Sequence, residues 1–340
     1  MNIQDELQTT VTAMVQKGKG ILAMDESSPT IAKRFKAINV ESTEENRRAY
    51  RSMILSTPDL GEFISGIILF EETLKQNSDD GIRLPELCAQ QGIVPGIKVD
   101  KGKLPLPNTA GDEITQGLDG LEIRLKGYKE LGARFAKWRN VYHITEMTPS
   151  RLAITANAEV LARYAAICQA QGIVPIVEPE VLIDGDHSLK RCSEVSEVVF
   201  HELFHALHQH HVILESIILK PNMMIAGQQN SQKATPEEVA EQTIRVLRRT
   251  VPAAVPGINF LSGGQTPQEA TANLNAMNQL GQHPWELSFS YGRALQEPAL
   301  QAWKGDASNT QKTQAALYQR ARLNGAARYG NYTASMESGD

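Results

Sequence analysis

Short apolar runs recur along the chain, and each closes on a polar or charged residue. Ile21 to Met24 precedes Asp25, Ile64 to Phe70 precedes Glu71 and Glu72, and Val94 to Ile97 precedes Lys98. Ala133 to Ala136 precedes Lys137, Ile173 to Val177 precedes Glu178, and Ile217 to Leu219 precedes Lys220. Ile258 to Leu261 precedes Ser262, and Leu287 to Ser290 precedes Gly292 and Arg293. Runs this short and this uniformly apolar suit strands of a parallel sheet buried on both faces.

Helical periodicity fills most of the intervals. In TANAEVLARYAAICQAQ the apolar residues Val160, Leu161, Tyr164, Ala165 and Ile167 share one face, and the pattern stops at Gly172. TPEEVAEQTIRVLRRT opens on Thr235, Pro236 and two acids and ends in Arg248 and Arg249, the charges that suit each helix end. TPQEATANLNAMNQL repeats the Thr-Pro opening. Eight strands alternating with helices predict an α/β fold: a single (β/α)8 TIM barrel. The start, MNIQDELQTTVTAMVQ, carries acids and no long apolar core, so it reads as an amphipathic helical extension and not as a signal peptide. The expected division is one barrel domain over residues 1–332 and a flexible polar tail over 333–340.

Composition narrows the picture further. The chain has 340 residues, 41% hydrophobic and 21% charged, enough for one large core. A net charge of -5 gives no general attraction to nucleic acid or an anionic membrane, and no apolar stretch approaches a membrane span. The cysteines, Cys88, Cys168 and Cys192, are too few and too scattered for a disulfide framework or a metal cluster, which points to the cytoplasm.

Two motifs mislead. INFLSGGQTP contains LSGGQ, the signature peptide of ABC-transporter ATPases, yet a nucleotide site also needs G-x-x-x-x-G-K-[ST]. The pairs Gly18-Lys19 and Gly102-Lys103 lack the Ser or Thr and the earlier Gly. What remains is a strand entering a loop whose hydroxyl and glycine amides can hold an anion. HELFH, His201 to His205, fits the H-E-x-x-H helix of zinc proteases. The alternative is an outer barrel helix packing Val199, Phe200, Leu203, Phe204 and Leu207 inward. No third ligand follows at a familiar spacing, so no metal is expected.

The C-terminal strand ends of such a barrel carry its chemistry. Here they carry Asp25, Lys98, Lys137, Arg139, Glu178, Glu180, Lys220 and Arg293. A lysine at the end of a buried strand, such as Lys220, is desolvated. A second cation such as Lys137 favours its neutral form further. A neutral lysine attacks carbonyls and forms a Schiff base, which then serves as an electron sink. Glu178 and Glu180, two apart on a strand, point the same way, so one can move protons while the other fixes a cation. Ser262, the Gly263 and Gly264 amides and Arg293 would cradle a phosphate across the last two strands.

Taken together, the blocks GKGILAMDES, EENRRAYR, GIKVDKG, TQGLDGL, FAKWR, QGIVPIVEPE, LKPNM, GINFLSGGQ and SFSYGRAL resemble the class I fructose-bisphosphate aldolases over nearly the whole chain. The resemblance implies Lys220 as the Schiff-base lysine and Glu178 as the general acid/base. Lys137 and Asp25 then lie near the scissile bond, and Glu180 in the charge network around the lysines. It implies Ser262, Gly263, Gly292 and Arg293 at the C1 phosphate, and Lys98, Arg139 and Arg34 at the other end of the sugar. It further implies a sugar-phosphate substrate, no cofactor and a homotetramer. The chain departs from animal members at Thr30, where they have a serine, and at its end. It finishes in Ser338-Gly339-Asp340 where they carry a tyrosine, and Tyr332 matches an internal tyrosine of the family.

Overall fold

The computed structural model describes residues 2–338. Barrel strands β1 (Gly20–Met24), β2 (Ile64–Leu69) and β3 (Val94–Lys98) are followed by a short antiparallel hairpin of β4 (Lys103–Pro105) and β5 (Glu113–Thr115). The remaining barrel strands are β6 (Phe135–Tyr142), β7 (Val174–Val181), β8 (Ile218–Leu219), β9 (Gly257–Phe260) and β10 (Glu286–Tyr291). They close in the order β1-β10-β9-β8-β7-β6-β3-β2, every pair parallel, with helices around the outside. The predicted eight-stranded barrel is present.

Local sequence explains the outer helices. Thr235 and Thr266 each cap a helix through a reciprocal box with Glu238 and Glu269, with Pro at the first helical turn. The helix at Arg151–Ala170 starts on the Ser150 cap and ends before Gly172, whose φ of 67° suits glycine. Between barrel and helices runs one continuous apolar layer.

A smaller apolar cluster fills the barrel interior at its N-terminal end. Ile21, Ala23, Ile68, Phe135, Val174, Ile176 and Ile218 meet Leu7, Val11 and Met14 of the first helix, Ile3–Met14. The N-terminal extension is thus a plug beneath the barrel. Gly96 is required here, because a Cβ would sit 2.3 Å from the Phe135 ring.

Two boundaries differ from the sequence reading. The apolar run ending at Ala136 continues as strand through Tyr142, so Lys137 and Arg139 sit within β6. Likewise Glu178 and Glu180 sit within β7. Charged residues persist in these strands because their side chains are ion-paired inside the barrel. Beyond the barrel, residues Ala334–Ser338 form a 3₁₀ turn. Glu337 pairs with the buried Arg320 at 2.6 Å and accepts from the Tyr332 hydroxyl at 2.8 Å. Gly339 and Asp340 lie outside the described residues.

Candidate active site

Alternation along each strand builds the site. Successive side chains of a strand alternate faces, so residues two apart share one. On β7 the inward series is Val174, Ile176, Glu178, Glu180; on β6 it is Phe135, Lys137, Arg139. On β1 it runs Ile21, Ala23 and on to Asp25, and on β8 from Ile218 to Lys220. Each series is apolar at the base and charged at the C-terminal end. The plugged apolar floor therefore carries a polar layer at the barrel mouth.

The acids and lysines of that layer are in contact. Lys137 Nζ lies 2.7 Å from Asp25 Oδ2 and 3.2 Å from Glu178 Oε2. Lys220 Nζ lies 3.3 Å from Glu178 Oε1. The side chains of Lys137, Glu178 and Lys220 are 4%, 5% and 5% exposed, so these charges act with little screening from water. Burial alone would push the Asp25 carboxyl up. The facing Lys137, Lys220 and Lys98 outweigh it and hold the group well below the usual carboxylate range. Burial likewise disfavours the charged Lys137, but Asp25, Glu178 and Asp100 reverse the effect and raise its pKa. Glu178 Oε2 is buried and has no hydrogen bond. Lys137 is within ion-pair range of that oxygen, at 3.2 Å, without the alignment of a hydrogen bond.

One end of the cavity offers anion contacts. Ser262 and Gly263 follow β9, and Gly292 and Arg293 follow β10. Among the described residues, Arg293 makes no ion pair, and it is exposed at the first turn of the helix Arg293–Trp303. A Cβ at Gly263 would come within 2.8 Å of the Leu261 side chain and 2.9 Å of the Glu180 carboxylate, so a larger residue there would push against both side chains. Gly264 adopts a φ of 70° and turns the loop into the Thr266-capped helix. At the other side, Lys98 pairs with Asp100 at 3.0 Å, and Arg139 is held by a very close ion pair to Glu180. The neighbouring carboxylates more than offset burial and raise the Arg139 pKa. Arg34 pairs closely with Glu26, and its guanidinium also lies near Gly292.

Twelve residues singled out in the sequence line one cavity of about 420 Å³: Asp25, Arg34, Lys98, Lys137, Arg139, Glu178, Glu180, Lys220, Ser262, Gly263, Gly292 and Arg293; Gly264, also expected at the phosphate, is not among its lining residues. That volume suits a small phosphorylated metabolite. Sequence reasoning missed Glu26, Asp100, Lys103, Thr115 and Ser290, which line it too. Asp100 was accessible to the two-apart rule from Lys98. Lys103 and Thr115 arrive on the β4–β5 hairpin, whose short polar strands gave no periodic signal.

His201 and His205 lie elsewhere, on the outer helix Leu189–Gln209, exposed to solvent. Glu202 is taken by Arg151 at 2.7 Å and Thr155 at 3.2 Å. Among the described residues no group of three His, Cys, Asp or Glu is placed to hold a metal ion.

Comparison with known proteins agrees with this architecture. A family model described as fructose-bisphosphate aldolase class-I matches residues 6–340. A probable fructose-bisphosphate aldolase class 1 of Xanthomonas campestris pv. campestris is 54% identical over 96% of this chain and 98% of its own length. A cytosolic fructose-bisphosphate aldolase 4 of Arabidopsis thaliana is 54% identical over 95% of this chain and 82% of its own. The Plasmodium falciparum fructose-bisphosphate aldolase, crystallised with TRAP and a small-molecule inhibitor, superposes with a TM-score of 0.96. It is 51% identical over 97% of this chain and 96% of that one. The protein is therefore a barrel lyase. It belongs to the class-I fructose-bisphosphate aldolase family, whose members work without a metal and through a lysine Schiff base.

Proposed function

We propose that this chain reversibly cleaves fructose 1,6-bisphosphate to dihydroxyacetone phosphate and glyceraldehyde 3-phosphate, with Lys220 as the Schiff-base residue. The observation that carries this reading is the Glu178 carboxylate set between Lys220 and Lys137, at 3.3 Å and 3.2 Å. Glu178 takes a proton from Lys220, and the neutral amine adds to the C2 carbonyl. Glu178 hands that proton to the departing hydroxyl, so loss of water from the carbinolamine gives the protonated imine and restores the Glu178 carboxylate. The C3–C4 bond then breaks, its electron pair flows into the imine to give an enamine, and the C4 hydroxyl proton passes to Glu178. Glyceraldehyde 3-phosphate leaves. Protonation of the enamine at C3 and hydrolysis of the imine release dihydroxyacetone phosphate and free Lys220.

The other residues divide by location. Lys137 and Asp25, paired at 2.7 Å, keep a cation beside the scissile bond. Ser262, Gly263, Gly292 and Arg293 hold the C1 phosphate. Lys98 and Arg139 bind at the remaining side of the cavity, with Glu180 fixing Arg139; Arg34, whose guanidinium lies beside Gly292, joins the C1-phosphate group instead of the far end that the family resemblance implies. No cofactor takes part. Residues 1–332 act as one catalytic unit and 333–340 as an appended segment. Family membership supports a homotetramer, and the cytosolic Arabidopsis relative supports the cytoplasm as the site of action. Lys220→Arg tests the central residue. A guanidinium stays protonated and cannot form the imine, so cleavage should vanish while the fold survives. Retained cleavage would remove Lys220 from the mechanism.

A further inference from the structure

A carboxylate inside a cavity meant for phosphates calls for an explanation. Glu26 lines the catalytic cavity although only 6% of it is exposed. Its Oε1 accepts from the Arg34 guanidinium in a close ion pair, and from Gln296 Nε2 at 2.7 Å. Its Oε2 is buried without a partner. Gln296 is 1% exposed, so its side chain has little freedom. The same Nε2 also donates to the Ala23 carbonyl of β1 at 2.8 Å. The Glu26 backbone carbonyl accepts from the fully buried Arg51 at 2.9 Å. Glu26 is thus fixed at both backbone and side chain, and Arg34 is the more exposed member of the pair, with 24% of its side chain exposed.

The pair sets the direction of the guanidinium. Arg34 reaches the cavity from the helix Ser28–Lys36, outside the barrel strands. One of its terminal nitrogens, Nη1, is taken by Glu26. The other, Nη2, lies 3.9 Å from where a Gly292 Cβ would stand, beside the turn that carries Arg293. A guanidinium offers donors in a fixed planar fork, so holding one nitrogen fixes where the others point. No other ion pair holds Arg34 among the described residues.

We propose that Glu26, itself anchored by Gln296, is a positioning residue. It holds Arg34 Nη1 so that Nη2 faces the phosphate carried past Gly292 and Arg293. Glu26 touches no reacting atom and acts only through Arg34. The inference rests on the reading of Arg34 as a phosphate ligand. A freed long side chain would have to be ordered again on binding, which weakens affinity and leaves the bond-breaking step alone.

A double-mutant cycle tests it, with steady-state cleavage of fructose 1,6-bisphosphate for Glu26→Gln, Arg34→Ala and the double variant. Glu26→Gln should raise KM about tenfold, which is 1.4 kcal/mol of binding, and keep kcat within about threefold. In the Arg34→Ala background the same substitution should change KM by less than about twofold, because residues acting as a unit are not additive. Glu26→Asp should recover part of the loss. If Arg34→Ala alone leaves KM unchanged, the reading of Arg34 as a phosphate ligand fails. If Arg34→Ala raises KM but Glu26→Gln does not, or the two effects simply add, the positioning role of Glu26 is overturned. The rise in melting temperature with inorganic phosphate, recorded on the same variants, gives a readout independent of turnover. It should shrink for Glu26→Gln, and an unchanged rise would contradict the proposal.

Discussion

Glu178 Oε1 lies 3.3 Å from Lys220 Nζ on the neighbouring strand, with both side chains 5% exposed. The relation follows from register. Val177 pairs with Leu219, so the next residue on each strand stands at the same level at the top of the barrel. Glu178→Gln preserves the shape but removes the base. Turnover should fall by roughly 10²–10⁴-fold, the usual size of acid–base catalysis, with little change in KM. A near wild-type kcat would remove Glu178 as proton carrier.

Arg293 should behave in the opposite way. It has no carboxylate partner among the described residues and faces the rim formed by Gly292, Ser262 and Gly263. Losing a charged hydrogen bond to phosphate costs roughly 1.5–3 kcal/mol. Arg293→Ala should therefore raise KM at least tenfold and act mainly there. A fall confined to kcat would contradict its placement as a phosphate ligand.

How far the site could be read from sequence depended on one rule. A charged residue ending a buried apolar run points to a strand end at the barrel mouth, and this recovered Asp25, Lys98, Lys137, Glu178 and Lys220. It did not show where the strands end. Lys137 and Arg139 lie inside β6, because charges compensated across strands do not terminate a strand as isolated ones would. Glu26 stayed hidden for a different reason. Its partner Gln296 is 270 residues away, and no local pattern announces such a contact. The N-terminal helix was legible as amphipathic, but its place under the barrel comes from the tertiary match of Leu7, Val11 and Met14 to the inward strand residues.

Acid should unfold the protein partly through histidine. His187 is 8% exposed, and neither ring nitrogen has a partner. Burial lowers its pKa below the ordinary 6.5, helped by Arg191 and opposed by Asp186 and Asp184. Burial lowers the His283 pKa in the same way. In both cases the unfolded chain binds the proton more readily. The contribution to stability is complete above about 6.5 and is lost as pH falls toward the folded-state pKa. Melting temperature should therefore drop on acidification below about pH 6.5, and His187→Leu should flatten the drop. An unchanged slope in that variant would contradict the assignment.

The docked tail should matter for stability more than for chemistry. Glu337 bonds Arg320 through both oxygens at 2.6 Å. Burial first, then the hydrogen bond to Glu337 and the Glu337 charge, push the Tyr332 phenol up to about 12 against the opposing Arg320 charge. Arg320 keeps its bonds to Pro267 and Thr271 without Glu337. Glu337→Gln should thus cost about 1.5–3 kcal/mol of unfolding free energy, the range for a hydrogen bond to a charge. Cleavage should stay within about threefold, well under the ~10-fold that 1.4 kcal/mol of barrier represents. A collapse of turnover in the fully folded variant would show that the tail takes part in the reaction.

The most direct test of the catalytic account is to trap the imine. The protein is incubated with dihydroxyacetone phosphate, reduced with borohydride, digested and read by mass spectrometry, with and without EDTA. The account predicts one reduced adduct, on Lys220, stoichiometric with lost activity and indifferent to EDTA. An adduct on Lys137 or any other lysine, or inactivation without an adduct, would contradict it.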